Sequence, residues 1–406
     1  MQSTSLTFPN AQGQQLAARL DLPVTGQAVA YALFAHCFTC SKNLKAVANI
    51  TRALAREGIA TLRFDFTGLG ESEGDFADTH FSSNVDDLIA AAAFLSQQHQ
   101  APSILIGHSL GGAAVLQAAG RIASVAAVAT IGAPSDPEHV TRLLGDQKAV
   151  IAERGEAEVT LAGRTFRIRK TFLDDLAEQK MRETIHTLRK PLLILHSPLD
   201  ATVGVENAAR IFQAAMHPKS YISLDKADHL LSQERDSLYA GSVIAAWAAN
   251  YLEAHPRDLC GDRLGDNRVV SRTGSGSFTT EICANGHALI ADEPIAVGGA
   301  NAGPSPYELL AAALGACTTM TLQMYAKRKK WPLEAAQVYL HHQKIHANDC
   351  DECETTSGMI DQIEREVELI GPLDDEQRQR LLEIADRCPV HRTLHAEIRV
   401  PTRLKE

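Results

Sequence analysis

Ser109 lies within Gly107-His108-Ser109-Leu110-Gly111, after the apolar run PSILI and before the helical pattern LGGAAVLQAAG. A strand, a glycine-bounded tight turn and a helix together lift a serine hydroxyl to the carboxyl edge of a sheet, where a carbonyl can reach it. The hydroxyl becomes a useful nucleophile only beside a base, and the base needs a carboxylate to orient it. Asp200 follows the strand-like LLILH in Ser197-Pro198-Leu199-Asp200, and His229 follows YISL in DKADHLL. Asp225 and Asp228 share the loop of His229 and are the alternative acids. The N–H of Leu110 and an amide just after ALFAH, Cys37 or Phe38, would form the oxyanion hole. His36 and His108 read as structural histidines of their loops. Cys37 and Cys40 read as small thiols packing a loop, since two sulfurs without further nearby ligands argue weakly for metal.

A second set of residues could do sulfur chemistry. Cys317 lies in the apolar ELLAAALGACTTMTL, and Cys388 opens CPVH near the chain end. Each has two readings, a buried small hydrophobe or a redox thiol, and Cys388 a third as a zinc ligand. Cys350-x-x-Cys353, with His341, His342 and His346 on the adjoining strand, is open to three: a solvated loop, an auxiliary dithiol or a zinc site.

These residues need elements to hold them. Up to residue 253, short apolar runs alternate with helical patterns, which predicts a parallel sheet covered on both faces. The alternation breaks over 136–190, where AEVTLAGRTFRIRKTFLDDL predicts a hairpin inserted as a cap. The expected boundaries are 1–254 for the first domain, 255–265 for a linker and 266–406 for the second. The second domain reads as α+β. It has a hairpin around Asn285-Gly286, a long Ala-rich helix expected to be buried on most sides, two long strands and a final helix ending at Cys388.

Length and composition agree. A chain of 406 residues exceeds one ordinary core, and 39 basic against 49 acidic residues leave a net charge of −10. An acidic chain without a basic run gives no reason to expect nucleic acid or anionic lipid as partner. The start MQSTSLTFPN has no basic or apolar leader pattern, and no membrane span is expected, so a cytoplasmic location is the expectation.

Residues 1–253 resemble the α/β-hydrolase superfamily, in particular small bacterial esterases with a short hairpin lid. The resemblance rests on HCFTCSKN, RFDFTGLGESEG, GHSLGG, SPLDATV and ADHLL. It implies Ser109 as nucleophile, Asp200 as acid, His229 as base and the amides of Phe38 and Leu110 as oxyanion hole; the family usually has Gly where Cys37 stands. From about residue 266, GPSPYELLAAALGAC and CPVH together resemble the OsmC/Ohr family of thiol peroxidases. That resemblance implies an intertwined homodimer in which Cys317 attacks a hydroperoxide and Cys388 resolves the sulfenic acid. The family's Glu ten positions before the first cysteine is here Tyr307, with Glu308 one place later. Its activating Arg has no positional match, and Arg272 is the nearest candidate. His391 stands where small residues are common.

The expectation is therefore an α/β-hydrolase domain followed by an α+β OsmC-like domain. The first would cleave carboxylic esters or thioesters, and the second would use thiols to reduce organic hydroperoxides. No cofactor or resident metal is expected. The alternatives are a non-catalytic dimerisation or zinc-binding module in the second half, and a hydrolase scaffold with an impaired oxyanion loop in the first.

Overall fold

The computed structural model describes residues 1–23, 28–37, 41–161, 164–252, 269–274, 278–349 and 357–405. The chain divides into two compact units, residues 1–277 with 281–289 and residues 278–280 with 290–406. The expected linker at 255–265 lies outside the described residues, and the compact division falls on its carboxyl side.

The first unit opens with β1 (Gln2–Pro9) and β2 (Gln15–Leu22), an antiparallel pair that the strand–helix rhythm did not anticipate. Then follow β3 (Ala30–Ala35), α1 (Lys45–Arg56), β4 (Ile59–Phe64), α2 (Phe81–Gln98), β5 (Ile104–His108), α3 (Leu110–Ala118) and β6 (Ala127–Ile131). The expected insertion comes next: α4 (Gln147–Arg154), the antiparallel hairpin β7 (Glu156–Leu161) and β8 (Arg164–Arg169), α5 (Lys170–Glu178) and α6 (Met181–Thr187). The sheet resumes with β9 (Leu192–His196), α7 (Glu206–Ala214), β10 (Lys219–Ser223) and α8 (Glu234–Ala248). Its order is β1-β2-β4-β3-β5-β6-β9-β10, and β4, β3, β5, β6, β9 and β10 run parallel. β3 to β6 and β9 are wholly buried, the apolar signature of strands covered on both faces. One apolar cluster joins the sheet to α2, α3 and the cap, and another joins it to α1 and α8.

Three short strands follow, β11 (Val269–Thr273), β12 (Thr280–Ala284) and β13 (His287–Ala291). The last two flank Asn285 and Gly286, both at positive φ, as a two-residue hairpin turn requires. The second unit then builds α9 (Pro306–Lys329), the antiparallel pair β14 (Ala335–His346) and β15 (Met359–Ile370), α10 (Asp375–Ala385) and α11 (Pro389–Leu394). Two expectations are corrected here. Helix α9 is not buried on most sides within this chain: Leu310, Met320 and Met324 are exposed, and only Leu314, Gly315, Thr318, Leu322 and Ala326 are buried. By length and composition alone α9 could cross a membrane, although its last turn carries Lys327, Arg328 and Lys329. Cys388 does not end the final long helix. It is the N-cap of α11, whose first position is Pro389, a residue suited to start a helix because its missing N–H would be unpaired there anyway.

Candidate active sites

The carboxyl ends of β5, β9 and β10 bring three side chains together. Ser109 sits between β5 and α3 at φ 55°, ψ −126°, a strained conformation outside the usual regions for a side-chain-bearing residue. Its N–H donates to Ile131 O on the neighbouring strand at 2.9 Å. A Cβ at Gly111 would fall 2.5 Å from the carbonyls of Ala35 and His36, so only glycine lets the turn pack against the segment leaving β3. His229 Nε2 lies 3.0 Å from Ser109 Oγ, and His229 Nδ1 lies 2.7 Å from Asp200 Oδ2. Asp200 Oδ1 accepts the N–H groups of Thr202 and Val203 at 2.9 and 2.8 Å.

The electrostatics follow from this geometry. Burial works to raise the Asp200 pKa, but the His229 bond, the two N–H donors and the nearby His229 charge together hold it below the usual carboxylate value. Asp200 thus stays ionised, fixes the tautomer of His229 with the proton on Nδ1, and leaves Nε2 to accept from the serine hydroxyl. Asp228, the alternative acid, caps its own loop by accepting the N–H of Ser232 at 2.8 Å. Leu110 opens α3, so its N–H has no acceptor within the helix and is placed to donate outward. Phe38 and Cys40 lie outside the described residues. Cys37 is buried and disulfide-bonded, which corrects its reading as a packing thiol. Two residues unnoticed in the sequence also shape this centre. Gly132, at φ 54°, would put a Cβ 3.2 Å from Asp200 Oδ2, so its bareness leaves room for the acid–base pair. His196 Nε2 donates to Val203 O at 2.7 Å, bracing the loop that carries Asp200. The GAP turn after β6 and the histidine ending LLILH were the available signals.

In the second unit, Cys317 and Cys388 are both free thiols. Both accept from the first turn of α11: the Val390 N–H donates to Cys317 Sγ at 3.5 Å and the His391 N–H to Cys388 Sγ at 3.4 Å. Cys388 is fully buried, and its sulfur lies 3.6 Å from Thr318 Oγ1. The guanidinium at this centre belongs to Arg365 on β15, which donates to Thr318 Oγ1 at 3.1 Å and Ala385 O at 3.2 Å and pairs with Asp386 at 2.5 Å. Arg272 is exposed on β11. Glu308 is exposed and caps α9, accepting the Ser305 N–H at 2.7 Å. His391 contributes its backbone to Cys388, and its ring stacks on His395. Burial foremost, then His395 and Arg365, lower its pKa, favouring the neutral ring. Thr318 and Arg365 left no local pattern by which spacing could find them. Cys350 and Cys353 lie outside the described residues, and among the described ones no group of three metal-ligating side chains gathers.

Residues 32–297, well over half the chain, match the family model described as Alpha/beta hydrolase family, and residues 298–403 match OsmC-like protein. The esterase domain of a Rhodothermus marinus protein is 57% identical, covering 62% of this chain and all of that one, with a TM-score of 0.54. The mitochondrial palmitoyl-protein thioesterase ABHD10 of Mus musculus is 26% identical over 189 residues, 44% of this chain and 62% of its own length, so the match spans less than two thirds of that relative. Est1E of Butyrivibrio proteoclasticus, solved with ferulic acid bound, shares the fold at 18% identity, with a TM-score of 0.51 over 61% of this chain and 99% of that one. The chain belongs to the alpha/beta hydrolase family, and it carries an OsmC-like domain after the hydrolase domain.

Proposed function

We propose that the first unit hydrolyses carboxylic esters or thioesters through an acyl-serine. The observation that carries this reading is the unbroken hydrogen-bonded chain from Ser109 Oγ through His229 to Asp200. Ser109 Oγ attacks the acyl carbonyl while His229 Nε2 takes its proton, and Asp200 stabilises the imidazolium. The Leu110 N–H, with an amide of the Cys37–Phe38 segment, holds the oxyanion. His229 then protonates the departing alkoxide or thiolate, activates a water, and the acid leaves. The esterase domain at 57% identity supports an ester substrate, and the thioesterase name of the mouse relative supports the thioester one. The test is steady-state hydrolysis of p-nitrophenyl acyl esters beside acyl thioesters. Ser109→Ala should lower kcat by about 10⁴-fold or more. A Ser109→Ala protein as active as the parent would refute the reading.

The paired free thiols favour a second activity in the OsmC-like unit, reduction of organic hydroperoxides. The Cys317 thiolate attacks the distal peroxide oxygen, the O–O bond breaks, and an alcohol and a sulfenic acid form. The Cys388 thiol condenses with that sulfenic acid, releasing water and leaving a disulfide. An external dithiol then reduces it and becomes a disulfide itself. Thiol-dependent loss of cumene hydroperoxide should vanish in Cys317→Ser. Persistence of that activity in the variant would refute the role of Cys317, and no consumption by the parent protein leaves the unit as a non-catalytic module.

A further inference from the structure

His108 precedes Ser109 and takes no part in the chain of bonds between serine, histidine and aspartate. It is buried, and its Nε2 lies 2.7 Å from the backbone carbonyl of His229. A carbonyl only accepts, so Nε2 carries the proton and donates it. The His108 and His229 ring centroids stand 5.0 Å apart, with planes inclined by 39°.

The loop bearing His229 is otherwise tied mostly to itself. Ala227 N–H donates to Leu224 O, Leu231 N–H to Asp228 O and Ser232 N–H to the Asp228 carboxylate. The Asp200 and Ser109 bonds hold the two ring nitrogens of His229 but not its backbone. The His108 bond fixes the backbone end of the same residue. Because the donor stands next to the nucleophile, any shift of the turn carries Ser109 and the clamp on its base together.

We propose that His108 is a positioning residue for acyl transfer, setting the height of the His229 imidazole over Ser109 Oγ. This rests on the reading of Ser109 as nucleophile. The clamp needs only a proton on Nε2, and the site keeps the ring otherwise neutral. Burial foremost, with the neighbouring His229 charge, lowers the His108 pKa to about 4, against the opposing pull of its bond to the His229 carbonyl and of Asp200; His36 adds to the lowering. A neutral His108 also places no second positive charge beside the imidazolium that forms at His229.

The test compares His108→Phe, which keeps a ring and loses the donor, with His108→Gln, which restores an N–H donor. Acyl-ester hydrolysis by the full chain is followed, with Ser109→Ala as the reference for lost chemistry. A base displaced by a fraction of an ångström to 1 Å predicts a kcat lower by about 10- to 100-fold in His108→Phe, with KM nearly unchanged. His108→Gln should recover most of that loss. If His108→Phe does not fold, His108→Leu carries the same comparison. An active parent with unchanged kcat in the donor-less variant, or a glutamine variant as slow as it, overturns the inference. A parent inactive on every ester and thioester instead overturns the hydrolase reading.

Discussion

His36 and His108 are buried beside the segment and the turn that frame Ser109, and burial lowers the pKa of both. The consequence is a stability that depends on pH. An unfolded histidine takes up its proton as pH falls through 6.5, whereas native His108 resists protonation until about 4. Between those values the unfolded chain binds more protons, so acid destabilises the native state. Asp200, held below its ordinary value, adds to the loss on further acidification. Thermal midpoints should therefore fall from pH 7.5 to pH 5, with a shallower slope in His108→Gln; a flat profile would contradict the burial argument. At this scale the site of the first unit was readable because each member follows a strand and the chemistry fixes their types. Arg365 was not readable: it lies mid-strand in DQIEREVELI among alternating charges, and only folding brings it to Thr318.

Among the elements, the segment from β3 to α1 matters most, since the proposed hydrolysis needs it to present an amide to the oxyanion. Its far end is anchored through Lys42. Asp65 Oδ1 accepts the Lys42 N–H and Oδ2 accepts Lys42 Nζ, each at 2.6 Å, with both side chains buried. Arg63, paired with Asp21 at 2.7 Å, donates to the Lys42 carbonyl. Asp65→Ala strands a buried ammonium that keeps only the exposed Glu71, which predicts a loss of about 3 kcal/mol and a lower kcat. Urea unfolding followed beside ester hydrolysis checks this, and a variant matching the parent in both would show that the anchor is idle. RFDFTGLGESEG carried part of the resemblance but did not show this pairing, because a lysine more than twenty positions upstream supplies the partner. The start of α11 was missed for a different reason. A Cys-Pro step reads as the end of one helix, although proline also opens the next.

For the whole molecule, α9 was expected to be buried on most sides, and within the chain the structure leaves Met320 and Met324 64% and 73% exposed. Exposure of that extent on a helix of this composition is expected to be covered by a second copy, as the sequence resemblance implied, because contiguous apolar surface seeks burial. Light scattering should return twice the chain mass, and Met320→Glu with Met324→Glu should halve it; a monomeric parent would refute the pairing. The division into two units was legible because the strand–helix rhythm stops before residue 255, while its location was not, since charge and glycine mark a loop without saying which side packs. The central claim remains the hydrogen-bonded chain at Ser109, and mass spectrometry after fluorophosphonate treatment tests it most directly. One adduct on the peptide carrying Ser109, strongly slowed in His229→Ala, is the expected result. An unlabelled serine, or labelling at the parent rate without His229, would contradict the account.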